Sequence, residues 1–422
     1  MVKSEFDIIS TNRYSVFTPS HGLLTYCLTL QNWMIVKKKN VLELLLSITL
    51  CSCAGVVSAA AAGAPSTHLQ LMERTATTLR NTTGASAVSV GVVFNGKTYS
   101  HHDAKHNAHS GVQASDATLF EIGSVSKVFA GTLVAQAVVD GKLTLDDDVR
   151  MHLSGAYSNL QFDGQPIRIR HLLTHKTGID VPFPDTREIR LKFPAHDFIA
   201  QKNVLDARYT KDDFFKELAA ANPTALPGTR FKYGALGPEL CAVILEKVYG
   251  KGYDTLLREF VLGPAGMAAT RLRLGPTQRL ATGFNAKGRE MDPLSSNLWG
   301  ASKFLKSTMG DMLSFATYEL ASRNPAVLES RRLIDPDGKM AYFWEVEKDR
   351  AGGWNYVKDG GSNGTSSIIK ILPARGLGIV IVVNQSDVST GTEIGAALDA
   401  LENELLAVPT SDNGAKIIST IP

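Results

Sequence analysis

The sequence predicts an α/β (α+β) protein in which one antiparallel sheet is flanked by helices and a mostly helical lobe is inserted. Strand patterns occur near the start of the globular part, at 88–100, and again near its end, at 366–384. The region between them, from about 143 to 294, reads mostly as helices and long loops, and one more helix follows the last strand. The simplest packing pairs both groups of strands in one sheet.

Two hairpins are expected to supply the strands. Each consists of two runs rich in β-formers that are joined by a short turn, and Asn95-Gly96 is the strongest two-residue turn signal. The strands are predicted at Val88–Phe94, Lys97–Ser100, Ser366–Leu372 and Leu377–Asn384.

Helices are expected in the middle and at the end of the chain. From Ser124 onward, apolar residues recur at helical spacing until Gly141 ends the helix. A final helix at Glu393–Leu406 closes the core. The segment at 182–207 is polar and is expected to be irregular.

The first 64 residues are typical of an exported protein. Lys37–Lys39 form a basic segment, a short apolar run follows, and small residues at 58–64 suit a signal-peptidase site. We expect a signal peptide at 34–64, an upstream segment at 1–33 that is not part of the mature protein, and a periplasmic or secreted location. A lipoprotein, or a form anchored in the membrane by this segment, is the alternative.

The rest of the chain is expected to form one catalytic domain at 66–407. Its sheet lobe would combine about 66–130 with 295–407, and its helical lobe would cover about 131–294. A loose tail is expected at 408–422. The net charge of +3, with Lys and Arg spread along the chain, predicts no nucleic-acid partner.

No metal or cofactor is expected. His171 and His175 have the spacing of a zinc-binding helix, but Leu172 stands where that motif requires glutamate. Other histidines are expected in a solvated polar loop after the first hairpin, without the Cys or Glu residues of a metal site. They are His101, His102, His106 and His109.

The start of the helix at Ser124 carries candidate chemistry. Ser124 and Lys127 are three residues apart and therefore share a helix face, whereas Ser126 points elsewhere. A serine needs an adjacent base to act as a nucleophile, and a desolvated lysine near a helix N-terminus has a lowered pKa. The alternative is a serine N-cap with a surface lysine in the first turn.

Two other stretches supply partners. Tyr233 lies in a loop just before a buried helix, where its phenol can relay a proton if lysines favour the phenolate. Lys358 precedes glycines that allow a close approach of the backbone, so the N–H groups of Ser124 and Gly361 are candidate oxyanion donors.

Together these stretches resemble the serine β-lactamase and penicillin-binding-protein family over 86–406, nearest its class C branch and the related D-Ala-D-Ala peptidases and esterases. Ser124-Val125-Ser126-Lys127 matches the first motif of the family. Tyr233-Gly234-Ala235 stands where the family has Tyr-x-Asn, and Lys358-Asp359-Gly360 where it has Lys-Thr-Gly. The resemblance implies a β-lactamase/transpeptidase-like fold.

The resemblance also implies a two-step acyl-enzyme mechanism without a cofactor. Ser124 would attack a carbonyl, Lys127 and Tyr233 would exchange protons, and Lys358 would support the phenolate and attract a substrate carboxylate. Substrate contacts are implied at residues that follow this lysine, namely Asp359, Gly360, Ser362 and Asn363.

The implied substrates are small molecules or fragments of peptidoglycan, handled by a monomer. β-Lactam hydrolysis, and with it antibiotic resistance, ranks first. The alternatives are a D-alanyl-D-alanine carboxypeptidase or endopeptidase, an esterase, and a non-hydrolytic penicillin-binding sensor. Ala235 in place of asparagine and Asp359 in place of a hydroxyl residue keep these alternatives open.

Overall fold

The structure is a computed structural model, and it describes residues 67–104, 114–193, 195–349 and 352–408. The predicted signal peptide and upstream segment lie outside these residues, as does the predicted tail from 409 onward. Among the helices of the described ranges, none combines the length and the apolar character needed to cross a membrane.

One six-stranded antiparallel sheet forms the centre of the fold, in the order β2-β1-β12-β11-β10-β9. Its strands come from the two ends of the described chain, as predicted. They are β1 (Ala87–Phe94), β2 (Lys97–Ala104), β9 (Glu345–Lys348), β10 (Trp354–Gly361), β11 (Ser366–Leu372) and β12 (Leu377–Val383). Short strands pair elsewhere: β3 (Phe120–Glu121) with β8 (Lys306–Ser307), β4 (Gln161–Phe162) with β5 (Gln165–Pro166), and β6 (Gly283–Asn285) with β7 (Glu290–Met291) and β13 (Gln385–Ser386).

Helices cover the sheet and recur through the sequence between its two groups of strands. They are α1 (Thr67–Thr83), α2 (Ser126–Val139), α3 (Ile169–Leu173), α4 (Arg187–Lys192), α5 (Ala195–Arg208), α6 (Lys211–Ala220), α7 (Leu236–Tyr249), α8 (Tyr253–Leu257), α9 (Met309–Ala321), α10 (Pro325–Ser330) and α11 (Val388–Ala407). The mixed class with an antiparallel sheet and many helices is therefore confirmed.

The two faces of the sheet pack against different helices. Alternate residues of β1, such as Val88 and Val90, share a buried apolar cluster with α1 and α11. On the other face, α9 packs against β1, β11 and β12. Gly91 makes that close approach possible, because a Cβ atom there would lie 2.4 Å from the Met309 sulfur.

The predicted elements differ from the structure in several places. Strands β9 and β10 were not predicted, and α2 begins at Ser126 rather than at Ser124. Strand β2 continues to Ala104 rather than ending at Ser100, so His101 and His102 lie in a strand and not in a loop. The segment at 182–207 is not irregular, because α4 and α5 occupy most of it. The last helix begins five residues early, at Val388, where the Asp387 carboxylate caps it by accepting from the Thr390 N–H at 2.8 Å.

The candidate site lies where the start of α2 meets the end of β10. A short 3₁₀ turn, Gly123–Val125, leads into α2 and contacts β10. Gly123 has a positive φ of 51°, and a Cβ atom there would lie 2.6 Å from the Gly361 backbone nitrogen. Gly360 is equally confined, because its Cβ would lie 2.2 Å from the Ile122 carbonyl oxygen. Glycine is needed on both sides for the helix start to approach the strand.

Candidate active site

Ser124 and Lys127 form the centre of the site. The Lys127 Nζ lies 3.0 Å from the Ser124 Oγ and donates to it, as the shared helix face predicted. Ser124 is partly exposed, whereas Lys127 is only 3% exposed. The alternative of a serine cap with a surface lysine therefore does not describe this helix start.

The environment of Lys127 favours a neutral amine. Burial lowers its pKa most strongly, and the positive charges of Lys358 and Lys303 lower it further, while Tyr233 opposes the shift. After loss of one proton, the contact at 3.0 Å lets the amine accept the proton of the Ser124 hydroxyl.

A buried hydrogen-bond network fixes the position of Lys127. Its Nζ also donates to the Ser302 carbonyl oxygen at 2.7 Å. The segment that carries this carbonyl is held by Glu239, whose carboxylate accepts from the Gly300 N–H at 3.1 Å and from the Ser302 N–H at 2.9 Å. Glu239 is completely buried on α7, and burial raises its pKa. Sequence reasoning missed this residue.

Ser126 is fully buried and holds the helix start in place. Its Oγ donates to the Gly123 carbonyl at 2.7 Å and accepts from the Leu305 N–H at 3.1 Å. Both contacts are to backbone, so the hydroxyl joins the turn before α2 to the segment that carries Ser302. The sequence correctly separated this serine from Ser124.

Tyr233 lies between the two site lysines. The centre of its ring is 4.7 Å from the Lys127 Nζ and 5.0 Å from the Lys358 Nζ. Burial of the phenol raises its pKa, but the charges of both lysines and the Ser124 hydroxyl outweigh this effect, so the pKa lies below 10. The residue as a whole is 44% exposed, which leaves one side of the ring open to solvent.

The segment that includes His175 supports Tyr233 from behind. The His175 ring packs against the Tyr233 ring, with 4.7 Å between the ring centres. The His175 backbone carbonyl accepts from the Lys232 N–H at 2.7 Å. Burial, together with the two site lysines, holds the pKa of His175 well below 6.5. A neutral imidazole therefore forms this wall, which the sequence suggested only as a structural turn.

Lys358 is buried on β10 and paired with two carboxylates. Its Nζ donates to the Glu345 Oε1 at 2.8 Å and to the Asp359 Oδ1 at 3.0 Å. Only 2% of the Lys358 side chain is exposed, against 48% for Glu345 and 72% for Asp359. Burial would lower its pKa, but Tyr233 and these carboxylates raise it above its ordinary value. Nothing in the sequence pointed to Glu345.

The candidate oxyanion donors come together at the contact between helix and strand. A Cβ atom on Gly360 would lie 3.0 Å from the Ser124 backbone nitrogen, so β10 runs directly past the helix start. Gly361 is the last residue of β10 and is exposed. The Gly361 backbone nitrogen thus lies against the turn that carries Ser124.

The residues after Gly361 are used largely within the turn that they form. The Ser362 Oγ accepts from the Thr365 N–H at 3.1 Å, and the buried Asn363 side chain donates to the Asp292 carbonyl at 2.8 Å. Of the substrate contacts implied by the resemblance, Asp359 has the most exposed side chain.

Two of the histidines considered as metal ligands, His171 and His102, have other partners. His171 accepts from the Arg168 N–H through its Nδ1 at 3.1 Å, and burial lowers its pKa to about 4. His102 bridges Ser89, at 2.8 Å, and Asp116, at 3.0 Å. In this Ser–His–Asp line, Ser89 is on β1, His102 is on β2 and Asp116 precedes β3, and Ser89 is only 9% exposed. His106 and His109 lie outside the described residues.

Comparison with known proteins identifies the family and the fold. The sequence profile of the Beta-lactamase family matches residues 72–403. Protein flp of Staphylococcus aureus (strain MRSA252) is 24% identical over 320 residues, which is 71% of this chain. The match covers 59% of that relative, so this chain spans only part of its length.

Two solved structures share the fold. One is a β-lactamase/D-alanine carboxypeptidase from Yersinia pestis complexed with citrate, at a TM-score of 0.68 and 21% identity, covering 80% of this chain and 98% of that one. The other is a class C β-lactamase from Rhodobacter sphaeroides, at a TM-score of 0.64 and 21% identity, covering 80% of this chain and 100% of that one. At such identities the likeness concerns the fold alone, and it confirms the predicted fold.

Proposed function

The chain belongs to the Beta-lactamase family of serine hydrolases, and from this premise we propose that it cleaves an amide or ester through an acyl-enzyme on Ser124. The observation that carries the proposal is the 3.0 Å contact between the Ser124 Oγ and the buried Lys127 Nζ. A hydroxyl and a desolvated amine at this distance form a nucleophile with its base.

In the first step, the Ser124 oxygen bonds to the substrate carbonyl carbon and its proton passes to the neutral Lys127 amine. The carbonyl oxygen becomes an oxyanion that accepts from the Ser124 and Gly361 N–H groups. The bond from carbon to the leaving nitrogen or oxygen then breaks with its electron pair. The leaving atom takes a proton relayed by Tyr233, which is adjacent to Lys127.

In the second step, water attacks the ester formed on Ser124. Tyr233 accepts a proton from this water, since the positive charge of Lys358 lowers the pKa of the phenol. The bond between the Ser124 oxygen and the acyl carbon breaks, Tyr233 passes this proton to the Ser124 oxygen, and a carboxylic acid leaves.

Among substrates, a β-lactam is the first candidate, on the strength of the family motifs at Ser124, Tyr233 and Lys358. A D-alanyl-D-alanine peptidase and a sensor that acylates and stalls are the alternatives that share these motifs. One observation favours an esterase: Lys358 already donates to two carboxylates, so a substrate that lacks a carboxylate suits this site better. The proposal includes export, on the basis of the segment at 34–64.

Hydrolysis rates on a cephalosporin, a D-Ala-D-Ala peptide and a short-chain ester, combined with a time course of labelling by a fluorescent penicillin, test the proposal. A transient label indicates β-lactam turnover, and a lasting label indicates a peptidase or a sensor. Ester turnover without a label indicates an esterase. Absence of both label and turnover on all three substrates would refute an acyl-enzyme on Ser124.

A further inference from the structure

The pairing of Lys358 determines the charge that a substrate meets beside Tyr233. The register of the sheet places Glu345, the first residue of the edge strand β9, opposite Val357, the residue before Lys358. Asp359 follows Lys358 directly, and both carboxylates bind the one ammonium, at 2.8 and 3.0 Å. One buried positive charge is thus surrounded by two exposed negative charges.

Asp359 is ionised at neutral pH. Desolvation beside the buried ammonium raises its pKa, but the charge of Lys358 and its hydrogen bond outweigh this effect, and the pKa lies below 3.8. Of the other nearby lysines, Lys127 directs its amine to the Ser124 hydroxyl and the Ser302 carbonyl, and Lys303 donates to the Asp206 carboxylate at 3.0 Å. The surface beyond Tyr233 therefore presents the two carboxylates and not the ammonium.

The leaving group of the substrate must face this surface. Its departing atom takes a proton from the Lys127 and Tyr233 pair, and the Lys358 ammonium contacts the same tyrosine ring, 5.0 Å from its centre. The part of the leaving group beyond the departing atom consequently extends toward Glu345 and Asp359. A carboxylate there would meet like charges and would have to displace one of the existing partners of Lys358.

We propose that Glu345 and Asp359 make this site select acyl donors with a neutral or cationic leaving group and discriminate against leaving groups that carry a carboxylate. The proposal rests on the acyl-enzyme function proposed above and names the substrate class of the same site. Neutral and cationic esters or amides are the predicted substrates, and a cationic group gains the attraction of both carboxylates.

Three thioesters with one shared acyl group, N-benzoylglycyl, provide the test. Their leaving thiols are mercaptoacetate, which is anionic, mercaptoacetamide, which is neutral and of the same shape, and thiocholine, which is cationic. Release of the thiol gives kcat/KM for each one. The native protein should cleave the neutral and cationic thioesters about tenfold or more faster than the anionic one, and added salt should reduce the difference.

The variants Asp359→Asn, Glu345→Gln and the double variant should raise the rate on the anionic thioester relative to the neutral one, about tenfold in the double variant. Both side chains are largely exposed, so folding should be retained. Glu347→Gln is the matched control: it removes the same charge two residues along β9, but Glu347 pairs with Lys370 at 3.3 Å. This control should leave the selectivity unchanged.

The outcomes separate the two proposals. If all three thioesters are cleaved with ratios that are the same in native protein and double variant, or if the anionic thioester is preferred, selection by charge is refuted and the acyl-enzyme function stands. If none is cleaved, or if cleavage survives Ser124→Ala, the acyl-enzyme function itself is refuted, and the inference on selectivity falls with it.

Discussion

Replacing Glu239 tests whether the segment around Ser302 positions the base. The carboxylate accepts from the Gly300 and Ser302 N–H groups at 3.1 and 2.9 Å, and the Ser302 carbonyl accepts from the Lys127 Nζ at 2.7 Å. Glu239→Ala would leave two buried N–H groups without a partner, at about 1–3 kcal/mol each. Because the desolvation cost of the carboxylate is also removed, we expect a net loss of about 2–4 kcal/mol in the free energy of unfolding.

Glu239→Gln is the more informative variant. The amide oxygen can accept from one N–H group only, while the NH₂ group faces the other, so we expect a loss of about 1–2 kcal/mol in stability. The Ser302 carbonyl would move, and a displacement near 1 Å of a reacting group can lower the rate about 100-fold. We expect that reduction in the rate of acylation, measured by stopped flow under single-turnover conditions, with stability measured by urea unfolding.

Glu217→Gln is the control for this experiment. The Glu217 carboxylate also accepts two hydrogen bonds, from the Asp185 N–H at 3.2 Å and from the Tyr209 hydroxyl at 2.6 Å, but it has no contact with the Lys127 network. The Glu217→Gln variant should therefore be less stable than native protein but should acylate at the native rate. If Glu239→Gln is destabilised as expected yet acylates at the native rate, the Ser302 carbonyl does not position Lys127 and the reasoning is wrong.

Three further predictions concern charge, protonation and close packing. Burial raises the pKa of Glu319 from 4.5 to about 7, so the free energy of unfolding should fall as pH rises through that window. In urea unfolding, the stability of Glu319→Gln relative to native protein should therefore increase by roughly 3 kcal/mol between pH 4.5 and pH 8, and an equal difference at both pH values would contradict this. With a neutral ester as substrate, Lys358→Met should move the acidic limb of the kcat/KM profile to higher pH, because the pKa of Tyr233 rises when the positive charge is removed. Asp359→Asn should move the limb to lower pH, because the negative charge of Asp359 raises this pKa; shifts of both variants in the same direction would count against Tyr233 as the titrating base. In Gly360→Ala the new Cβ would lie 2.2 Å from a backbone carbonyl oxygen, so the strand must move and acylation should slow about 100-fold; an unchanged rate would exclude this packing role.

The parts of the fold that the sequence predicted are those with local signals. Strand β11 was predicted with its observed bounds, because a run rich in isoleucine and leucine ends at a turn. Strand β2 was cut short because its polar residues at 101–104 belong to an edge strand that is only partly buried. Helices α4 and α5 were missed because their sequences carry many polar residues and no clear apolar stripe.

In the site, too, the residues that were predicted are those with local sequence signals. Ser124 and Lys127 were predicted together because three residues on a helix bring side chains onto one face. Glu239 and Glu345 were not predicted, because each reaches the site only through tertiary packing. Glu239 acts from α7 through the segment that contains Ser302, and Glu345 is brought to the site by the pairing of β9 with β10. The sequence also implied a substrate contact for Asn363, whose amide is directed to a backbone carbonyl.

The most direct test of the central claim is peptide mapping by mass spectrometry of protein that has been acid-quenched within the first turnover of an acyl donor. Native protein and Ser126→Ala should each carry one acyl group, on Ser124, and Ser124→Ala should carry none. An acyl group on Ser126, on another residue, or still present in Ser124→Ala would contradict the claim.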